Sequence, residues 1–274
     1  MQMRLKDGKQ KVLTFSYDDG NTQDIRLIEI FNKYGLKGTF NVNTGLFLDD
    51  ASERNGEGKL TWEEAEKLYK NSGHEVAVHT LTHPWIATLK STETIKEITK
   101  DRENIEKHFG TIARGMAYPF GCYTEETLEV LKLCGIVYSR TTVATHGFHF
   151  PEKWLELPAT CHHNDPQLMT LAEKFVNEKA HWNICDMFYV WGHSYEFDRN
   201  NNWDVIEKFA EYVSGKDDIW YATNIEIYDY TDAYNRLQVS IDGKTVYNPS
   251  AMTLWFFENG KTYEIKAGET VIIN

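Results

Sequence analysis

Aspartate and histidine residues in this sequence have the types and spacing needed for metal-assisted hydrolysis. They are Asp18, Asp19, His79, His83 and, much further along the chain, His193. One carboxylate with two imidazoles makes a three-ligand set with open positions, which suits Zn²⁺ or another borderline divalent ion. A helical turn after residue 79 would point the two nearby imidazoles the same way. The second carboxylate could then act as general base and the distant histidine as general acid, so amide or ester hydrolysis is expected.

The elements that must position these residues are predicted as alternating strands and helices. Strands are expected at 11–15, 39–42, 74–80, 115–118, 136–138, 187–191 and 219–222. This alternation predicts a parallel sheet with right-handed crossovers, and about seven units favour a barrel over an open doubly wound sheet. Since the carboxyl ends of barrel strands meet at one mouth, the acidic pair and the histidines would converge there.

The pattern of the chain changes near residue 236. Beyond it, apolar and polar residues alternate, and Asn259-Gly260 is a strong hairpin signal. We therefore expect an α/β barrel over 1–235 and a small β appendage over 236–274 that packs on it. Glycan binding and dimerisation are the alternative roles for this appendage.

The composition limits the classes of partner. The 274 residues include 29 Lys and Arg against 41 Asp and Glu, a formal net charge of −12. The sequence contains no cluster of Lys and Arg residues, so neither nucleic acid nor an anionic membrane is an expected partner. No apolar run approaches the roughly 20 residues of a membrane span. The sequence carries no clear indication of an oligomeric state.

The location expected for the protein follows from its cysteines and its first residues. Four scattered cysteines show no paired spacing, which predicts free thiols rather than a disulfide framework. No signal peptide is recognisable at the start. A cytoplasmic location is therefore expected, or an extracellular or cell-envelope one if an export signal has been removed.

Several segments, in this order, resemble the motifs of the polysaccharide deacetylase family, also called the NodB-homology group or carbohydrate esterase family four. They are TFSYDDG at 14–20, GTF at 38–40, GHE at 73–75 leading into His79 and His83, YPFG at 118–121, and GH at 192–193. The resemblance covers about residues 9–230. It implies a distorted (β/α)7 barrel and a metal-dependent hydrolase that removes N- or O-acetyl groups from sugar polymers.

The resemblance also implies a role for each matching residue. Asp19, His79 and His83 would hold the metal, with Zn²⁺ as the first candidate and Co²⁺ or Ni²⁺ as alternatives. Asp18 would be the base that deprotonates the metal-bound water. His193 would be the acid that protonates the departing amine.

Three further residues are assigned to the oxyanion and the substrate. By the same resemblance, the backbone N–H of Phe120 would help to hold the oxyanion, and Tyr118 of the same motif would lie beside the substrate. Trp85 follows the second histidine ligand, so it is the best candidate for a platform on which a sugar ring stacks. The other tryptophans in helix or strand patterns are expected in the core: Trp62, Trp182, Trp203 and Trp220.

The chain departs from the family pattern in its arginine. Ser16-Tyr17 is inserted in the first motif, and Ala117 stands where the family usually has the arginine that tethers the base. We predict that Arg140, at the end of the strand 136–138, supplies the guanidinium beside Asp18. A surface or structural arginine is the alternative.

A second departure concerns the carboxylate that orients the acid histidine, which has no clear counterpart in this sequence. The candidates for that role are Asp165, Asp186, Glu196 and Asp198. Glu196, with the preceding tyrosine, could instead line the substrate groove. His162, with its neighbour His163, could contact substrate or respond to pH, although surface or capping histidines are the favoured alternative.

Three functions remain open at this stage. The first is removal of an acetyl group from an N- or O-acetylated sugar, oligosaccharide or polysaccharide. The second is hydrolysis of a non-peptide C–N bond in a small linear or cyclic amide on the same scaffold. The third is a catalytically degenerate carbohydrate-binding protein, which the retention of both carboxylates and the three histidines argues against.

Overall fold

The computed structural model describes residues 1–56, 58–180 and 184–273. Its strands are β1 (Gln2–Arg4), β2 (Lys11–Asp18), β3 (Thr39–Val42), β4 (Glu75–Val78), β5 (Gly115–Ala117), β6 (Tyr138–Ala144), β7 (Leu157–Ala159), β8 (Cys161–His162), β9 (Asp186–His193), β10 (Ile219–Tyr221), β11 (Gln238–Val239), β12 (Thr245–Tyr247), β13 (Leu254–Glu258), β14 (Lys261–Ile265) and β15 (Thr270–Ile272). Its helices are α1 (Asp24–Lys33), α2 (Trp62–Tyr69), α3 (Ser91–Phe109), α4 (Glu125–Leu133), α5 (Leu168–Asn177), α6 (Tyr195–Arg199), α7 (Trp203–Val213) and α8 (Asn224–Asn235).

A parallel sheet at the centre curves round on itself. Its strands run in the order β6-β5-β4-β3-β2-β9, with β10 paired to the first half of β2. The stretch 157–162 connects the two ends of this order, because β7 pairs with β6 and β8 pairs with β9. Helices surround the sheet. The predicted α/β fold with a distorted barrel of parallel strands is therefore confirmed.

The central strand and the first helices show why these residues form these elements. All eight residues of β2 are buried, as expected for a strand covered on both faces. In α1, Leu27, Ile28 and Phe31 form the face that packs into the core. A capping box begins α2: the N–H of Glu64 donates to Thr61 Oγ1, and the Thr61 N–H donates back to the Glu64 carboxylate at 2.9 Å.

The end of the chain forms two small antiparallel sheets. One has the order β11-β12-β15, and the other has the order β1-β13-β14. The sequence did not predict β1, since three residues are too few to show a period. Phe256 and Val246 of these sheets are buried with Tyr230 of α8. Residues 2–4 thus join strands of the segment 236–274, while the domain boundary itself stays a prediction.

The tryptophans, cysteines and helices test other expectations. Trp203 is buried, and Trp62 and Trp220 pack against the core while partly exposed, whereas Trp182 lies outside the described residues. All four cysteines are free thiols, as predicted. Among the helices that the structure describes, none is both long and apolar enough to cross a membrane.

Glu75 at the start of β4 makes stability depend on pH. Its carboxylate accepts hydrogen bonds from the Tyr138 hydroxyl at 2.7 Å, the Thr39 hydroxyl at 2.8 Å and the Ile225 N–H at 2.9 Å. Burial nevertheless raises the pKa of Glu75 from 4.5 to about 7. Between these values the folded protein binds more protons than the unfolded chain, so this group makes stability fall as pH rises from about 4.5 to 7.

Glu75→Gln should therefore flatten the pH dependence of the free energy of unfolding over this interval. Denaturant unfolding of the wild type and the variant at several pH values measures the two slopes. Equal slopes would show that Glu75 does not titrate in this way.

Candidate metal and catalytic site

Asp18 ends β2 at the mouth of the barrel, where it is 2% exposed. Asn41 Nδ2 donates to one carboxylate oxygen at 2.8 Å, and Arg140 Nη2 donates to the other. Burial alone would raise the pKa of Asp18, but Arg140, His79 and His193 outweigh it and hold the pKa below its ordinary value. Asp18 is therefore an ionised carboxylate, able to accept a proton.

Arg140 reaches Asp18 from β6. It is opposite Ala117 in the pairing of β5 with β6, so the guanidinium comes from the strand next to the one that carries the usual arginine position. The side chain is 1% exposed, and its guanidinium carbon lies 4.2 Å from the ring centroid of Trp191. Arg140 thus lies beside Asp18, as the sequence predicted. The alternative of a surface arginine is wrong, because the side chain is buried.

Asp19, His79 and His83 form a compact group beside this carboxylate. Asp19 Oδ1 lies 3.8 Å from His79 Nε2 and 3.6 Å from His83 Nε2. The ligand atoms of the three residues all lie within 4.8 Å of one another. No helical turn follows His79: instead, Thr80 and His83 adopt left-handed backbone angles, with φ of 65° and 58°. This loop, rather than the helix suggested by the spacing, brings the imidazoles together.

The hydrogen bonding of His79 tests whether this group fits a divalent ion. Its Nδ1 lies 2.8 Å from the carbonyl oxygen of Ala117, which can only accept, so this nitrogen carries the ring proton. The Nε2 lone pair is then free, and it lies 3.8 Å from a carboxylate oxygen of Asp18 and 3.8 Å from one of Asp19. Orientation of a ligand imidazole by a carbonyl is common in metal sites. One carboxylate and two imidazoles therefore fit Zn²⁺, Co²⁺ or Ni²⁺.

Asp101 supports this group from α3, and the sequence analysis did not identify it. Its Oδ2 accepts the His79 N–H at 3.0 Å, and its Oδ1 accepts both the N–H and the hydroxyl of Thr44. The side chain is completely buried. Its position between Ile98 and Ile105 on the apolar face of α3 was the available signal, since a lone carboxylate there needs partners.

His193 ends β9 and is directly opposite Asp18 in the pairing of β2 with β9. Its Nδ1 lies 3.5 Å from Glu196 Oε1, in the first turn of α6. Burial would lower the pKa of His193, but Glu196, Asp18 and Asp19 outweigh it and raise the pKa above its ordinary value. This environment favours the protonated form of His193 next to an ionised carboxylate.

Glu196 is the carboxylate that the structure places against His193. Of the other candidates, Asp165 lies 2.7 Å from His146, and Asp198 accepts a hydrogen bond from the Trp203 indole. Asp186 is at the opposite end of β9.

Two more imidazoles contact the far oxygen of Glu196. Its Oε2 lies 3.1 Å from His162 Nε2 and 3.0 Å from His163 Nε2. Burial would raise the pKa of Glu196, but these imidazoles and His193 lower it well below its usual range.

His162, His193 and Glu196 also bring three metal-ligating atoms within 4.8 Å of one another. However, His162 Nδ1 accepts a hydrogen bond from the Asn164 N–H at 3.1 Å. In the neutral ring the proton is then on Nε2, so this nitrogen has no lone pair for a metal. The second group is therefore a cluster of imidazoles packed around a carboxylate, in contrast to the group at His79.

His163 is in the core, so the surface position favoured for the histidine pair is wrong for this residue. Its ring stacks against Tyr17 and Phe197, with centroids 5.6 Å and 4.2 Å away. Gly192 makes room for it, because a Cβ there would lie 2.0 Å from His163 Nδ1. His162, by contrast, is partly exposed at the mouth.

Two exposed aromatic rings form the rim of the site. Trp85 is 57% exposed and Phe120 49% exposed, and their rings stack 4.2 Å apart at 8°. The Phe120 ring also contacts His83, with centroids 4.6 Å apart. Phe120 has a left-handed φ of 58° in the turn after Pro119.

Tyr118 does not line the site, contrary to the sequence expectation. It is 1% exposed, its hydroxyl donates to the Leu155 carbonyl at 2.8 Å, and its ring stacks on Tyr123. The preceding strand ends at Ala117, and the following proline turns the chain. The aromatic side chain therefore packs inward while Phe120 remains at the rim.

Comparison with solved structures shows a shared fold. A Mycobacterium smegmatis protein named as a candidate polysaccharide deacetylase superposes with a TM-score of 0.59 at 17% identity, over 85% of this chain and 94% of that one. A family 4 acetyl xylan esterase from Clostridium thermocellum, in complex with a cobalt ion, superposes with a TM-score of 0.53 at 14% identity, over 81% and 92%. A Streptococcus pyogenes deacetylase in complex with acetate is 23% identical over 52% of this chain, with a TM-score of 0.45, and this chain covers 61% of its length.

Comparison of sequences finds a family model that matches the first part of the chain. No curated protein matches the chain. Residues 5–139 match the family model for polysaccharide deacetylase. This segment contains the adjacent aspartates, both histidines of the compact group and the turn at Phe120. The segment 5–139 is thus similar to the polysaccharide deacetylase family, as the motifs of the sequence indicated.

Proposed function

We propose that this protein is a metal-dependent hydrolase that removes an acetyl group from an N- or O-acetylated sugar, oligosaccharide or polysaccharide. The observation that carries the proposal is the pairing of Asp18 and His193 across one mouth, beside the group at His79. The lowered pKa of Asp18 favours an ionised carboxylate and the raised pKa of His193 favours a protonated imidazole, which are the forms that a general base and a general acid must have.

Each residue of the site has a separate role in the proposed hydrolysis. A divalent ion held by Asp19, His79 and His83 would supply a Lewis acid that polarises the carbonyl and activates water. Asp18 accepts a proton from the attacking water as its oxygen bonds to the acyl carbon. The bond from that carbon to the sugar nitrogen or oxygen then breaks. His193 donates a proton to the leaving atom from Nε2, since its Nδ1 faces Glu196.

The rim supplies binding and oxyanion stabilisation. The backbone N–H of Phe120 is our candidate oxyanion donor, and one preorganised donor of this kind contributes about 3–4 kcal/mol to lowering the barrier. The stacked rings of Trp85 and Phe120 offer an exposed apolar face next to His83. Sugar rings pack on such faces through their C–H sides, which supports a carbohydrate as the substrate.

Glu196→Gln should shift the high-pH limb of the activity profile to lower pH. Glu196 raises the pKa of His193, and the acid must be protonated to work, so its loss makes activity fall at a lower pH. Above neutral pH we expect kcat to fall by about 10-fold or more. The matched control is Glu207→Gln, a surface glutamate paired with Arg26, which should leave the profile unchanged. If the high-pH limb of Glu196→Gln were not shifted, Glu196 would not be the residue that raises the pKa of His193.

A substrate panel separates the proposal from its alternatives. Metal-loaded protein is incubated with N-acetylated oligosaccharides, acetylated xylan and cyclic amides, and release of acetate or amine is followed. We expect acetate from an acetylated sugar. Faster turnover of the cyclic amides would favour the small-amide hydrolase, and saturable sugar binding without turnover would favour the degenerate binding protein.

A further inference from the structure

Trp191 contacts Arg140, the partner of the base, and His162, which lies beside the carboxylate of the acid. It precedes His193 by two residues in β9, so both side chains are on the same face of the strand. In the sheet it is opposite Ser16 on one side and His162 on the other. Its neighbours in the sheet therefore come from β2 and β8, the two strands that pair with β9.

On the base side, the indole ring contacts Arg140. The guanidinium carbon lies 4.2 Å from the ring centroid, a distance at which a cation is attracted to an aromatic face. The same guanidinium donates through Nη2 to Asp18 and through Nη1 to the Thr141 carbonyl at 3.2 Å. The ring thus limits where the guanidinium can lie while it holds the carboxylate.

On the acid side, the same ring contacts both imidazoles at the mouth. The His162 ring packs edge-on against it at 4.7 Å and 83°, and the His193 ring lies 5.7 Å away at 67°. Because His162 lies 3.1 Å from Glu196, the indole also supports the imidazole that contacts the acid's carboxylate.

We propose that Trp191 is a positioning residue shared by the base and the acid, acting through Arg140 on Asp18 and through His162 on Glu196. This inference rests on the proposed function of the same site. The indole ring contacts both Arg140 and His162, so its loss should displace the base and the acid together.

Trp191→Leu should therefore lower kcat by about 10- to 100-fold, the scale of a misplaced catalytic group, with little change in KM or metal content. Trp191→Phe keeps an aromatic face beneath Arg140 and should recover most of kcat. The matched control is Trp220→Ala, in β10, whose ring packs on Tyr230 and which should leave kcat near the wild-type value.

Crystal structures of the wild type and Trp191→Leu give a readout that does not need activity. The inference predicts that Arg140 leaves Asp18 and that His162 leaves Glu196 in the variant. Unchanged placement of both pairs would overturn it, whether kcat falls or not, and so would a kcat that Trp191→Phe fails to recover. If the wild type deacetylates no substrate but both pairs separate in the variant, the proposed function fails and the positioning role stands.

Discussion

Asp18→Asn should lower kcat/KM for deacetylation by about 10²–10⁴-fold, the range for loss of a general base. Asparagine has nearly the same shape and can still accept a hydrogen bond from Arg140, but its neutral amide cannot take a proton from water. Because Asp18 is not one of the three proposed ligands, although its carboxylate lies 3.8 Å from His79 Nε2, the metal content should remain near one ion per chain. Steady-state acetate release and elemental analysis measure the two quantities on one preparation.

Asp229→Asn is the matched control for this substitution. Asp229 also pairs with an arginine, Arg114, at 2.7 Å, but it is on α8 rather than at the mouth of the barrel. Its variant should keep wild-type kcat/KM. If Asp18→Asn kept activity within about threefold of the wild type, Asp18 could not be the base.

His79→Ala should abolish both metal uptake and turnover. His79 is almost completely buried, and its loss would leave only Asp19 and His83 in the ligand group. His83→Ala, at a more exposed position, should give the same loss with less risk to folding. Elemental analysis after loading with Zn²⁺, Co²⁺ or Ni²⁺ measures the occupancy.

His74→Ala separates loss of the metal from a general effect of losing a histidine. His74 packs on Phe40 and Phe31 and accepts the Gly38 N–H at 3.1 Å, away from the ligand group. This variant should bind metal as the wild type does. Full metal occupancy in His79→Ala and His83→Ala would contradict the ligand assignment.

The strand ends are where prediction from sequence succeeded. Asp18 and His193 each follow a run of apolar and β-branched residues, and parallel strands bring such ends to one edge. Their direct pairing in the sheet is the consequence. The position of a residue at a strand end can be predicted from the sequence because it depends only on the hydrophobic pattern of the strand and on the parallel direction of the strands.

The partners of these residues were harder to predict because they depend on register and loop geometry. Arg140 could be proposed only from its strand position, since 122 residues separate it from Asp18. Four acidic residues were candidates for the partner of His193. Only the structure shows that it is Glu196, which lies in the first turn of α6, three residues after His193. Asp101 was missed because two of its three hydrogen-bond donors are backbone N–H groups, which the sequence does not indicate.

Helix α8 was missed for a reason of propensity. Its sequence NIEIYDYTDAYN is rich in β-branched, aromatic and Asn or Asp residues, which favour helices weakly. The capping box of Thr223 and Glu226 was the available signal. Packing of Ile227 and Tyr230 into the core stabilises the helix despite this composition.

Metal titration of the metal-free protein, with acetate and sugar amine measured together, tests the central claim most directly. The substrate is the acetylated sugar that the panel identifies, and the amine is measured where that sugar is N-acetylated. The account predicts that activity rises in proportion to added ion, reaches a plateau at one ion per chain, and releases acetate and free amine in equal amounts. Acetate release that is independent of added metal, or equal in wild type and His83→Ala, would contradict it.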